Sequence, residues 1–344
     1  MQRSFSWSRA IISALGSYTS ANFSPAFSVV SRAMTSASVP LSTTQGPNGT
    51  KASFLTDAAI LIEGIKTFLF DLDGVIWKGG KLIDGVPETL TFLRTLGKKL
   101  IFVTNNSTKS RKMLHQQFHK MGLEANEEEI FSSSFAAASY LTTINFAANK
   151  KVYIVGEEGI QRELQEAGIL YLGGPEDGEK KIDTEATKDL DYDPDVGAVV
   201  VGFDRNINYY KLTYATVCLK NPGCLFIATN LDSVSNVSET QVWPAGGTMV
   251  GAVKVSSGRE PTVVGKPSTF MMDYIANKFQ ISKTEICMVG DRLDTDILFG
   301  QNGGCKTLLV LSGVTDLKTL QSPENLIQPD FYTNKVSDLL SAKN

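Results

Sequence analysis

The stretch "FLFDLDGVIW", residues 68–77, closes an apolar run with two aspartates one residue apart, Asp71 and Asp73. Ionised carboxylates only accept hydrogen bonds, and like charges this close repel. A strand that needed nothing but burial would not end this way. Downstream, "PETLTFLRTLG" carries Leu90, Leu93 and Leu96 at helical spacing, and "KKLIFVTNNS" returns to a strand pattern. A helix in "SRKMLHQQFHKMG" and a short strand and helix in "IFSSSFAAASYLTTI" follow. This alternation predicts βαβ units and an open, mostly parallel sheet.

The rhythm pauses near Asn149 and a second set begins. It holds "KKVYIVG", a helix in "EGIQRELQEAG", the acidic stretch "GGPEDGEKKIDTEATKDLDYDPD", strand "VGAVVVGF", helix "NYYKLTYATVCLK" and strand "CLFIATN". After the glycine-rich "PAGGTMVGAV" the first rhythm resumes with "TVVGKPS", "FMMDYIANKFQ", "EICMVGDR", "DTDILFGQNG" and "CKTLLVL". The expected fold is α/β, with a Rossmann-like open parallel-sheet core in two segments, 56–147 and 258–344. An α/β domain is inserted between them over 148–257.

The first fifty residues differ in kind. They are rich in Ser and Thr, carry Arg3, Arg9 and Arg32, and have no acidic residue before Asp57. That composition predicts an organelle transit peptide over 1–55, or else a plain disordered leader. Composition does not separate plastid from mitochondrion. The remainder is acidic, for the whole chain has a net charge of -3 and removing residues 1–50 takes away three positive charges. No basic face for nucleic acid is implied. No apolar run approaches the roughly 18 residues of a membrane span.

The polar residues that close the apolar strands explain the acidic pair. They are Asp71 and Asp73, Thr104 with Asn105, Asn106 and Ser107, Lys266, and Asp291 with Asp296. Ligands of open α/β sheets bind beyond the carboxyl ends of the strands. Any one of these residues alone would serve as a turn or cap residue, but four groups on one sheet edge make a site. Several carboxylates at one point need a cation, and hard oxygen donors without His or Cys suit Mg²⁺. Mg²⁺ brings substrate phosphate with it. An ionised Asp can attack phosphorus, and a second carboxyl two residues on can protonate the leaving oxygen and later deprotonate water. Hydroxyl, amide, backbone N–H and ammonium donors then meet the phosphoryl oxygens.

"DLDGVIW", "FVTNNST", "VVGKPS" and "GDRLDTDI" resemble the four motifs of the haloacid-dehalogenase superfamily of phosphatases. The large insert between the second and third motifs is similar to the C2-type cap of the branch that includes 4-nitrophenylphosphatases and pyridoxal phosphatases. "VGAVVVGFDR", "NPGCLFIATN" and "ICMVGDRLDTDILFGQNGGCKTLLVLSGVT" resemble the plant-type phosphoglycolate phosphatases of that branch. The resemblance implies Asp71 as nucleophile and metal ligand, and Asp73 as acid/base with its backbone carbonyl on Mg²⁺. It also implies Asp291 as the remaining ligand, Asp296 as a partner behind it, and Thr104, Asn105, Asn106 and Lys266 as phosphate-binding. The implied reaction is Mg²⁺-dependent hydrolysis of a small phosphorylated metabolite, 2-phosphoglycolate, in the chloroplast stroma, by a homodimer joined through the caps. A mitochondrial or cytoplasmic address is the alternative. The competing functions are a broader aryl or pyridoxal phosphate phosphatase and a non-catalytic phosphometabolite-binding protein on the same fold.

Other chemistries lack their residues. The two histidines, His115 and His119, lie on one basic helix with no third ligand nearby, and four cysteines show no C-x-x-C spacing. The segment "GREPTVVGKP" has the wrong spacing for a P-loop, and no G-x-G-x-x-G opens the first βα unit. The pyridoxal-selective branch carries a cap histidine that this chain lacks. Arg205 and Lys211 are cap candidates for a substrate carboxylate, against a plainer reading as solvated surface.

Overall fold

The computed structural model describes residues 51–343 except 184, 186–187 and 237–240. The expected transit peptide therefore falls almost wholly outside the described residues. Two parallel sheets organise the rest. The larger has seven strands in the order Ser53–Phe54, Phe331–Thr333, Lys306–Val310, Ile286–Gly290, Thr67–Phe70, Lys99–Thr104 and Ile130–Ser132. Every neighbouring pair is parallel. Thr67–Phe70 lies near the centre with all four residues buried, because a strand flanked by helices on both faces must be apolar on both.

The smaller sheet orders Thr262–Val263, Leu225–Ala228, Val196–Val201, Lys151–Val155 and Leu170–Gly173, again all parallel. Short antiparallel pairs add Trp77–Lys78 with Lys81–Leu82 and Val234–Asn236 with Val242–Pro244. Helices start where the sequence supplies caps. The Ser110 and Ser132 hydroxyls accept from Met113 and Phe135 N–H, and Asn208 accepts from Lys211 N–H.

The structure moves two expected boundaries. Ser53 and Phe54, assigned to the leader, pair with Phe331 and Tyr332 as an edge strand of the large sheet. Thr262 and Val263, assigned to the second core segment, pair with Ile227 and Ala228 in the small sheet. The chain thus leaves the small sheet only three residues before Lys266. The glycine-rich segment forms a helix, Gly246–Ser257. A Cβ on Gly247 would sit 2.4 Å from the Leu231 carbonyl oxygen, so that glycine lets the helix start pack against a loop, while Met249, Val250 and Val253 bury its apolar side. The segment after Asp291 is a π-helical turn, Leu293–Ile297, followed by an α-helix, Leu298–Gly303.

One apolar cluster draws on both sheets. Leu69, Ile101 and Val103 of the large sheet share it with Val152, Ile154, Val200 and Ile227 of the small one, through Phe135 and Ala138 of the helix Ser133–Thr143.

Candidate active site

Asp71 follows Thr67–Phe70, Thr104 ends Lys99–Thr104, and Asp291 follows Ile286–Gly290. These three strands are adjacent, with Thr67–Phe70 in the middle, so their ends converge. Asp71, Asp291 and Asp296 offer carboxylate oxygens within 4.8 Å of one another, and all three residues are buried. Lys266, only 2% exposed, reaches into this group. Its Nζ donates to Asp71 Oδ1 at 2.5 Å, to Asp296 Oδ1 at 2.6 Å and to the Val103 carbonyl at 3.1 Å.

The acids differ in what remains open. Asp296 accepts from Lys266 through Oδ1 and from the N–H groups of Asp291 and Arg292 through Oδ2, both at 3.1 Å. It holds the loop that carries Asp291. Asp291 Oδ2 accepts from Val314 N–H at 2.7 Å. Among the described residues no hydrogen bond is made to Asp71 Oδ2 or Asp291 Oδ1, and no fully buried side-chain oxygen lacks a partner. These two oxygens therefore reach the surface of the crevice.

Space around Asp291 is cleared by two glycines. A Cβ on Gly74, whose φ is +87°, would lie 2.4 Å from Asp291 Oδ2, and one on Gly313 would lie 1.9 Å from it. Any side chain at either position would displace the carboxylate.

Electrostatics follow from one cation among three acids. Burial pushes the Asp71 carboxyl well above the carboxylate range; Lys266 pulls it down, and Asp296 and Asp291 push it up again. Asp291 is pushed up to about 7, first by burial and then by Asp296, against the Val314 N–H, Lys266 and Arg292. Burial works against the Lys266 charge too, but Asp296 and Asp71 outweigh it and hold the ammonium above its ordinary value. The cation is over-supplied with partners while the acids are under-supplied, so a pair that stabilises Lys266 does not relieve Asp71.

Asp73 stands apart. Its side chain is exposed and Oδ1 accepts from Trp77 Nε1 at 2.9 Å. Its carboxylate is not in the three-acid cluster, so a metal contact by Asp73 would fall to the backbone carbonyl. Surrounding protein desolvates the carboxyl and raises its pKa, against the Trp77 hydrogen bond and the charges of Lys109 and Lys266. A raised carboxyl facing a crevice suits a proton donor.

The expected phosphate donors divide. Thr104 Oγ1 accepts from Asn106 N–H at 3.1 Å, which leaves its own proton for another acceptor. Asn106 Oδ1 accepts from Thr108 N–H and Oγ, each at 2.8 Å, so its amide NH₂ stays available. Asn105 is different. Its Oδ1 accepts from Lys266 N–H at 2.9 Å, and its Nδ2 donates to the Lys266 carbonyl at 3.0 Å and to Asp232 Oδ1 at 3.1 Å. That side chain clamps the Lys266 peptide to a loop of the small sheet and has nothing left for phosphate. All three ammonium donors of Lys266 are likewise engaged.

The cap candidates also change. Lys211 is fully buried in an ion pair with Asp204 at 2.7 Å, and Arg205 lies against Glu157 through two nitrogens. Neither waits for a substrate carboxylate. Two cavities, of about 440 Å³ beside Asp177 and Tyr210 and about 220 Å³ beside Arg111 and Phe135, contain none of the clustered acids. The surplus of buried negative charge, rather than cavity size, locates the chemistry. Among the described residues no helix is long and apolar enough to cross a membrane.

Comparison with known proteins agrees with this geometry. Residues 68–170 match the family haloacid dehalogenase-like hydrolase, and residues 263–339 match a HAD-hydrolase-like family. Phosphoglycolate phosphatase 1A, chloroplastic, of Arabidopsis thaliana is 64% identical over 298 residues, covering 86% of this chain and 82% of that protein. The structure of a p-nitrophenyl phosphatase from Archaeoglobus fulgidus is similar with a TM-score of 0.69 and 34% identity, over 81% of this chain and 99% of that one. A glycerol phosphate phosphatase from Mycobacterium tuberculosis, solved in complex with magnesium, gives a TM-score of 0.67 at 26% identity over 81% and 77%. Identity this high across most of both chains is more than a shared fold requires, and this chain therefore belongs to the haloacid dehalogenase-like hydrolases, as one of their capped phosphatases.

Proposed function

We propose that this chain hydrolyses 2-phosphoglycolate to glycolate and inorganic phosphate through a phosphoryl group carried on Asp71. The observation that carries the reaction class is the cluster of Asp71, Asp291 and Asp296 around a single ammonium. One positive charge leaves that group two short of neutrality, and hard oxygen donors fit Mg²⁺. Asp71 Oδ2, Asp291 Oδ1 and the Asp73 backbone carbonyl would hold the ion. When bound it supplies charge for the phosphoryl oxygens and lowers the cost of bringing two anions together.

The chain's own residues do the rest. Asp71, held by Lys266, attacks phosphorus, and the bond from phosphorus to the ester oxygen breaks with its electron pair on that oxygen. Asp73 gives it a proton. The Thr104 hydroxyl and the Asn106 amide donate to the phosphoryl oxygens. Asp73, now a carboxylate, takes a proton from water as the water oxygen attacks phosphorus, and the bond to Asp71 breaks to regenerate both carboxyl groups.

The substrate reading is supported by the phosphoglycolate phosphatase at 64% identity. The chloroplast reading is supported by that protein's chloroplastic name and by the basic, acid-free leader. A homodimer joined through the caps is supported by apolar side chains left exposed there, at Leu231, Val242, Trp243 and Val255. Phosphate release from phosphoglycolate, pyridoxal phosphate and 4-nitrophenyl phosphate, with and without Mg²⁺, tests the activity. We expect release to require Mg²⁺ and kcat/KM to be highest for phosphoglycolate. A preference for pyridoxal phosphate would overturn the substrate, and no release from any of the three would overturn the enzyme. Residues 1–55 fused to a fluorescent protein test the address, and sedimentation tests the dimer.

A further inference from the structure

Asp73 meets the crevice through one oxygen. Trp77 Nε1 occupies Oδ1 at 2.9 Å, and among the described residues no donor reaches Oδ2. The indole cannot follow a wandering carboxylate. Trp77 is 3% exposed, and its ring meets Phe118 edge-on at a centroid distance of 5.2 Å and an angle of 71°. Phe118 in turn lies 4.6 Å from Phe102, in the strand that ends at Thr104. The backbone between the two residues is closed as well. Gly74 N–H donates to the Trp77 carbonyl at 2.7 Å, and Trp77 N–H donates to the Leu72 carbonyl at 3.2 Å.

We propose that Trp77 is a positioning residue for the proton transfer, fixing the Asp73 carboxyl so that Oδ2 carries the proton given to the leaving oxygen. This rests on the acid role of Asp73 proposed above. A buried indole N–H needs an acceptor in any case, and a carboxylate on the crevice floor is a costly one if structure were its whole purpose. A neutral backbone carbonyl would serve the indole without engaging half of the acid. With Oδ1 held, rotation of the carboxyl group is blocked, and the proton stays on the oxygen that faces the ester. The contact therefore contributes orientation, which in acid catalysis is worth more than the hydrogen bond itself.

The test uses leaving groups. Glycolate leaves phosphoglycolate as an alkoxide that needs a proton, whereas 4-nitrophenolate is stable as an anion. We expect Asp73→Asn to lower kcat/KM for phosphoglycolate by about 100-fold or more and for 4-nitrophenyl phosphate far less. Trp77→Phe should lower the first by about 10-fold and leave the second nearly unchanged, and in the Asp73→Asn protein it should not alter the ratio. Replacement of Trp77 by benzothienylalanine, which keeps the bicycle and exchanges N–H for sulfur, should reproduce Trp77→Phe should the smaller ring unsettle the fold. An equal loss on both substrates, or an undiminished change of ratio in the Asp73→Asn protein, overturns the positioning role. If Asp73→Asn itself shows no leaving-group dependence, the acid assignment fails first and the proposal falls with it.

Discussion

Beyond the strand ends of the seven-stranded sheet three buried carboxylates cluster beside one ammonium that bonds two of them, whereas beyond those of the five-stranded sheet Asp204, Glu157 and Asp177 each have a cation of their own. On the small sheet Asp204 follows Val196–Val201 and pairs with Lys211 in full burial, and Glu157 follows Lys151–Val155 and pairs with Arg205. Asp177 is divided between the Tyr153 hydroxyl at 2.9 Å and Lys180 at 2.7 Å. Both sheets are parallel and both end in polar loops. A buried acid does not mark a site. An acid left without its share of cations does, because desolvation is then uncompensated until a divalent ion arrives.

The sharpest way to break this contrast is Asp71→Asn. It keeps the shape and a donor-acceptor group beside Lys266 while removing the anionic nucleophile, so kcat should fall by about four orders of magnitude or more with the fold retained. A variant of near-normal turnover would end the mechanism. On the small sheet the corresponding insult should act on stability instead. Lys211→Met strands Asp204 in the interior and should cost about 3–5 kcal/mol in denaturant unfolding, while the kcat of the folded fraction stays within about 2-fold. If Lys211→Met abolishes turnover in folded protein, the two sheets do not divide their labour as described.

Asp291→Asn should come next, raising the Mg²⁺ concentration for half-maximal activity by about 100-fold. Acidity should mimic it in part. Burial and the neighbouring Asp296 push the Asp291 carboxyl up to about 7, so falling pH through that range favours its protonated form. Proton and metal compete for the same oxygen, and Mg²⁺ affinity should weaken as pH falls through about 7. A Mg²⁺ titration that is flat from pH 6 to 8 would remove Asp291 from the ion. The smallest effect is expected from Asn105→Ala. It frees the Lys266 peptide and breaks the tie to Asp232, and should lower kcat/KM by about 10-fold with the Mg²⁺ requirement unchanged.

Much of this site is legible in the sequence, for a local reason. Asp71, Thr104 and Asp291 each end a short apolar run, and a parallel sheet brings such ends to one edge whatever the order of its strands. What escaped depends on side chains meeting across distance in the chain. Asn105 sits in the right motif, but its grip on the Lys266 peptide spans 161 residues and has no local signal. Lys211 reads in sequence as a substrate contact or a solvated surface, with Tyr209, Tyr210 and Thr213 beside it, yet it pairs inward with Asp204. Gly313 carried no visible role in "LSGVT" until its missing Cβ was seen to leave room for Asp291. Trp77 did carry a legible hint, being an indole four residues beyond a carboxylate, but only the turn at Gly74 makes the two meet. The edge strand Ser53–Phe54 was missed because two residues hold no periodicity.

The apolar cluster common to both sheets has a consequence for how the molecule opens. A cap hung from two flexible joints could swing as a rigid body, and each joint would take up the rotation. Here Ile154, Val200 and Ile227 share a dry interior with Leu69 and Val103 through one intervening helix, so a wide swing would wet the side chains that also support the strand before Asp71. Sliding at that helix avoids that cost. Melting should accordingly take the two sheets apart together, in a single cooperative step.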